Sequence, residues 1–168
     1  MFVALLRAVN VGGTGKLPMN DLKRMCEKLG FTNVRTYIAS GNVVFESRTS
    51  EAAIRKALES ALQKYAGKPV GVLVRTGAEL KKVLAGNPFQ DKAPNRTVAI
   101  FLGERPPANA LSAITGAVDE EVRLGSREIY VHYGDGMARS KLRIPAATAG
   151  TARNMNTVAK LAELASGS

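Results

Sequence analysis

Three clusters of polar residues in this chain have the types and spacing that chemistry requires. The first is Asn10-Val11-Gly12-Gly13-Thr14-Gly15-Lys16, where glycines permit close backbone approach to a ligand and a lysine adds charge. The second is Ser40-Gly41-Asn42, a hydroxyl and an amide flanking a flexible residue. The third is Ser140-Lys141-Leu142-Arg143, followed by Thr151-Ala152-Arg153-Asn154-Met155-Asn156-Thr157, whose guanidinium and amide donors suit an anion. None pairs a nucleophile with a base, so no catalytic residue and no reaction is named. The first cluster also fails as a Walker A loop. Asn10 stands where its first glycine belongs, and Leu17 stands where Ser or Thr should follow the lysine. The spacing of a dinucleotide fingerprint is absent too, so no cofactor is implied.

Composition narrows the classes. The chain has 168 residues and a formal net charge of +10, with 45% hydrophobic residues, which fits a folded protein and excludes bulk disorder. Its one cysteine, Cys26, allows no internal disulfide, and one histidine, His132, cannot furnish the usual zinc set, so no metal site is expected. Cys26 lies on an apolar stripe and reads as core, while His132 alternates with Val131 and Tyr133 and reads as a structural or solvent-facing strand residue. No apolar run approaches the roughly 20 residues of a membrane span, and residues 1–7 read as a strand rather than a secretory leader. A soluble cytoplasmic protein is the expectation.

The charge is unevenly spread. Residues 1–48 hold seven Lys/Arg against three Asp/Glu and residues 122–160 hold seven against two, whereas residues 49–121 hold ten against eight. The excess therefore coincides with the polar clusters, which favours an anionic partner there.

The elements that must position these clusters follow from periodicity. Residues 2–9 are an apolar run ending at a glycine-rich loop, the pattern of a buried strand. Pro18 opens a helix whose buried face is Leu22, Met25, Cys26 and Leu29, with Gly30 as its stop. Strands over 33–38 and 42–46 flank a tight hairpin at Ala39-Ser40-Gly41. A helix over about 50–66 turns Ile54, Leu58, Ala61, Leu62 and Tyr65 inward, and Val70, Val72 and Val74 alternate as a strand. Thr76-Gly77-Ala78-Glu79 is a capping box for a helix over 77–85. Beyond it the pattern predicts a strand over 96–102, a small helix with Leu111 and Ile114, a hairpin of 120–124 and 128–133, and a closing helix. In that last helix Thr151 or Asn154 is the cap, and Arg153, Asn154, Asn156 and Thr157 are displayed on the first turn.

Residues 1–75 thus read β-α-β-β-α-β, whose packed solution is an antiparallel sheet with two helices on one face. Both hairpins begin Val-Arg, which marks a degenerate repeat. The expected fold is α+β, with two ferredoxin-like halves, 1–75 and 76–168, mainly antiparallel sheets and a closing C-terminal helix. In such a half the first loop and the hairpin leave the sheet at the same end. This convergence defines a candidate ligand-binding set of Arg7, Asn10, Gly12, Gly13, Gly15, Lys16, Ser40, Gly41 and Asn42, with Arg153 and Asn154 joining from the C-terminal region.

At these residues the chain resembles a bacterial family known as domain of unknown function 1697. The likeness rests on Leu5 through Gly13, Tyr37 through Phe45, Asn87-Pro88-Phe89, Ser140-Lys141-Leu142 and Thr151 through Leu161, and it spans essentially the whole chain. One departure is Met155, where the family pattern has Trp. The resemblance implies a two-part ferredoxin-like fold and supplies no activity or substrate. The leading reading is therefore a protein that binds a phosphorylated small molecule or nucleotide. A nucleic-acid module of the RNA-recognition plan is the alternative, and a protein-interaction domain without a small ligand is the third. The nucleic-acid reading ranks lower because strand 42–46 is apolar on both faces and lacks the aromatic platforms such sheets use.

Overall fold

The computed structural model describes residues 1–7, 17–37, 41–134 and 140–166. The chain divides into two compact units, residues 1–80 with 161–168 and residues 81–160.

The first unit is built from β1 (Phe2–Leu6), α1 (Met19–Lys28), β2 (Thr32–Tyr37), β3 (Asn42–Glu46), α2 (Glu51–Ala66) and β4 (Val72–Thr76). Its sheet runs β2-β3-β1-β4, every pair antiparallel. Because strand side chains alternate between faces, Ala4, Leu6, Val43, Phe45, Val72 and Val74 share one face and form a core with Leu22 and Cys26 of α1 and Ile54, Leu58 and Leu62 of α2. Phe45 stacks on Phe31 with ring centroids 4.3 Å apart. The opposite face, carrying Val3, Leu5, Val44, Leu73 and Arg75, is buried as well.

Local signals account for the boundaries. Ser50 caps α2 by accepting the Ala53 N–H at 3.1 Å, and Gly67, at φ 74°, supplies the left-handed stop. The expected capping box is present: Thr76 Oγ1 accepts the Glu79 N–H at 3.1 Å and Glu79 Oε1 accepts the Thr76 N–H at 2.9 Å, opening α3 (Gly77–Ala85).

The second unit repeats the strand order, with 3-10 turns at Ala110–Ala113 and Pro145–Ala147 where the first unit has its helices. It contains β5 (Thr97–Phe101), β6 (Glu121–Leu124), β7 (Glu128–His132) and β8 (Thr151–Asn154) in the order β6-β7-β5-β8, again antiparallel, with α4 (Met155–Leu164) following β8. The repeat extends to register. Arg35 faces Val44, which faces Val3, which faces Arg75. In the second sheet Arg123 faces Tyr130, which faces Ala99, which faces Arg153. The Val-Arg pairs within β2 and β6 thus occupy the same place in the two sheets.

Three expectations need correction. The small helix around Leu111 and Ile114 is only a 3-10 turn, Ala110–Ala113, because four residues cannot build a buried stripe. Tyr65 does not face inward: it is 48% exposed, and its hydroxyl donates to Asp21 at 2.8 Å. Arg153 is not on a helical turn, since residues 151–154 pair with β5 as a strand and α4 begins at Met155.

Cys26 is fully buried, as its stripe predicts, and loss of solvation pushes its thiol up to about 12 from an ordinary 9.0. A thiol that ionises only after unfolding confers stability that is complete below pH 9.0 and declines as pH rises toward about 12. Chemical denaturation should therefore show a fall approaching about 1.4 kcal/mol per pH unit once the unfolded-state thiol ionises. Tyr130, pushed up by burial from 10.0 to about 12, adds a second loss that begins higher. Between pH 9 and 10 the Cys26→Ala variant should be flatter than the parent. Equal slopes would contradict the burial argument.

Candidate functional site

The predicted convergence begins with β1. Its antiparallel register places Leu5 opposite Asn42 on one side and Leu6 opposite Val72 on the other. Beyond the register, the Leu6 N–H donates to the Gly41 carbonyl at 2.9 Å and the Arg7 N–H donates to the Gly71 carbonyl at 2.9 Å. The end of β1 is therefore clamped between the β2–β3 hairpin and the entry to β4. Gly41 sits at φ 81°, a left-handed conformation that a side chain would strain, and so the turn requires glycine there.

Arg7, Gly41 and Asn42 are thus brought together at one end of the first sheet. Arg7 is exposed, and its aliphatic stem lies against Gly71, where an added Cβ would stand 3.5 Å from Arg7 Cβ. Asn42 is fully buried, and its Nδ2 donates to the Tyr37 carbonyl at 3.0 Å, tying the two arms of the hairpin. Its amide fixes the turn's shape. Asn10, Gly12, Gly13, Gly15, Lys16 and Ser40 lie outside the described residues.

Arg153 and Asn154 belong to the second unit. Arg153 is 7% exposed on β8, and its Nη1 donates to Thr151 Oγ1 at 2.7 Å and to the Ala152 carbonyl at 2.9 Å. Burial lowers its guanidinium to about 10, since the low-dielectric interior disfavours the charged form. Asn154 is the cap of α4, its Oδ1 accepting the Thr157 N–H at 2.9 Å. Sequence reasoning missed Gly71, which receives both the backbone and the stem of Arg7. Its only signal is a glycine interrupting the Val70–Val72 alternation.

Three basic side chains meet on the helical layer of the first unit. Arg24, Lys28 and Lys64 rim a hollow of about 480 Å³ floored by Met25 and Ala61. The carboxylate on that rim, Asp21, already accepts the Tyr65 hydroxyl and lies 3.9 Å from Arg24. Among the described residues no group of three or more His, Cys, Asp or Glu is arranged to hold a metal ion. No helix among them is long and apolar enough to cross a membrane.

The family model described as Protein of unknown function (DUF1697) matches residues 1–130. None of the curated proteins matches the chain. Among solved structures, the conserved bacterial protein SP0830 from Streptococcus pneumoniae is similar at a TM-score of 0.81 and 23% identity, with 98% of this chain and 97% of that chain covered. At that identity the likeness is one of fold.

Proposed function

We propose that this chain, which belongs to the DUF1697 family of proteins of unknown function, binds an anionic ligand, a phosphorylated small molecule or nucleotide, at the end of its first sheet. The observation that carries the reading is the 2.9 Å bond from the Leu6 N–H to the Gly41 carbonyl. It ties the end of β1 to Gly41, the residue that follows Ser40 in the sequence. In this reading Arg7 and Lys16 supply charge, and the amides of Gly12, Gly13 and Gly15 supply donors that cost no side-chain entropy. Ser40 adds a hydroxyl, while Gly41 and Asn42 hold the hairpin in shape. The proposal rests on the first unit alone.

Two features support ranking nucleic acid second. The face of the first sheet away from α1 and α2 buries Val3, Leu5 and Val44, so it offers no open platform for bases. Its central strands also carry no aromatic residue on that face.

Thermal and chemical unfolding with inorganic phosphate and with nucleoside mono- and diphosphates provides the test. A ligand at a hundredfold excess over its Kd should stabilise the protein by about 2.7 kcal/mol. Arg7→Ala and Lys16→Ala should each weaken that gain, and the double substitution should abolish it. Undiminished stabilisation in the double variant would eliminate the site. Tight RNA binding with a steep loss on raising salt would instead favour the second reading.

A further inference from the structure

The second unit holds the chain's one histidine in a hydrogen-bonded row that determines its tautomer. Thr97, fully buried on β5, donates its hydroxyl proton to the Ala93 carbonyl at 3.1 Å. The same Oγ1 lies 3.0 Å from His132 Nδ1. A hydroxyl has one proton. The Ala93 carbonyl can only accept, so both short contacts are hydrogen bonds at once only where Oγ1 accepts from His132, the arrangement in which Nδ1 carries the hydrogen. The neutral ring then has its lone pair on Nε2.

That lone pair is available. Nε2 has no hydrogen-bond partner among the described residues, and no buried side-chain nitrogen or oxygen there lacks one, so Nε2 is reached by solvent. The ring is also held from the side: Phe89 packs against it with centroids 5.9 Å apart, presented by a turn in which Asn87 Oδ1 accepts the Phe89 N–H at 2.9 Å. The backbone around the row is fixed by the Tyr133 N–H donating to the Arg96 carbonyl at 2.9 Å.

Two charged groups share the face. Glu121 of β6 is the register partner of His132, as Thr97 is on the other side. Directly opposed residues of an antiparallel pair have Cβ atoms about 4.5–5.5 Å apart. The Glu121 carboxylate makes no ion pair or hydrogen bond among the described residues. Arg123, two residues along the same strand and exposed, lies with its guanidinium carbon 5.9 Å from the Phe89 ring centroid.

We infer that Glu121, His132 and Thr97 form a proton-transfer site for a small anionic ligand bearing a hydroxyl, with Arg123 binding the ligand's charge. Nε2 takes the hydroxyl proton: the O–H bond breaks, its electron pair stays on oxygen, and an N–H bond forms. The resulting imidazolium keeps its Nδ1–H on Thr97 and is balanced by the Glu121 carboxylate. Thr97 is a positioning residue, acting only through the tautomer. This site is independent of the one at the end of the first sheet.

Nitrogen-15 spectra of the full-length protein test it, because a single histidine gives an unambiguous signal. At about pH 8.5, where an ordinary imidazole is neutral, Nε2 should appear pyridine-like and Nδ1 pyrrole-like. Thr97→Ser should keep that pattern, and Thr97→Val should lose it. Inorganic phosphate, which presents a hydroxyl beside oxyanions, should move the Nε2 resonance saturably in the parent and in Arg7→Ala, and not in Arg123→Ala. A pyrrole-like Nε2 in the parent, or no saturable shift with phosphate, would overturn the inference. Should Thr97→Val fail to fold, the parent and Thr97→Ser decide the matter between them.

Discussion

Replacing Phe45 by alanine should cost the protein about 3–5 kcal/mol of unfolding free energy, measured by urea denaturation against the parent. Phe45 is fully buried at the centre of the first unit, on the face that β3 presents to α1 and α2. Its ring stacks on Phe31 with centroids 4.3 Å apart and on Phe2 with centroids 6.3 Å apart. Truncation removes the transfer energy of the ring and leaves a cavity that the strand backbone cannot close, because Phe45 is the register partner of Phe2. Phe45→Leu, which fills most of the space, should recover much of the loss. A cost below about 1 kcal/mol would mean that this face is not the core.

The second large effect is expected at Gly116. It joins a left-handed φ of 77° to a backbone carbonyl, that of Lys141, standing where a Cβ would go. The overlap cannot be relieved by a rotamer change, since both groups are main chain. Moving either breaks the bridge in which Thr115 and Arg143 exchange hydrogen bonds of 3.1 and 2.8 Å. Gly116→Ala should therefore lose about 3 kcal/mol or more, the sum of backbone strain and a broken pairing. Gly30→Ala is the control. Gly30 has φ 92° with nothing within 4 Å of an added Cβ, so it carries the strain alone, about 1–2 kcal/mol. Equal losses for the two variants would show that the Lys141 overlap is absorbed without cost.

The first half of the chain is legible because its signals are local and redundant. The Leu22–Cys26 stripe, the Thr76–Glu79 box and the alternation through Val72 and Val74 each correspond to an observed element. The strand Thr151–Asn154 is not, for a physical reason. Its buried positions are Thr151 and Arg153, so the period-two pattern is present in burial but is written in polar residues. An apolar helix follows at once, and Asn154 as its cap draws the whole segment into the helical pattern. Tyr65 misleads because its position continues the stripe of Ile54, Leu58 and Leu62. Tyrosine is amphipathic, however, and the Asp21 carboxylate outside the core offers its hydroxyl a better end point. Of the candidate site, the meeting of β1 with the hairpin follows from strand order alone. The role of Asn42 does not, because nothing in a Gly-Asn pair says whether the amide points to a ligand or back to the Tyr37 carbonyl. His132 is the reverse case. Its alternation with Val131 and Tyr133 marks a strand residue, but the contacts of Thr97 Oγ1 with the Ala93 carbonyl and with the ring, on which its tautomer depends, have no trace in the sequence.

The path of the chain carries one more consequence. The first unit is made of residues 1–80 together with 161–168, and the return segment is bonded into it where Arg35 donates to the Leu164 carbonyl at 3.1 Å. A ribosome releasing this polypeptide from its amino end therefore delivers most of that unit early and its remaining piece only after the other unit has been made. Until then Arg35 lacks its carbonyl partner, and a message cut short in between would yield a product lacking part of the very region it had translated first.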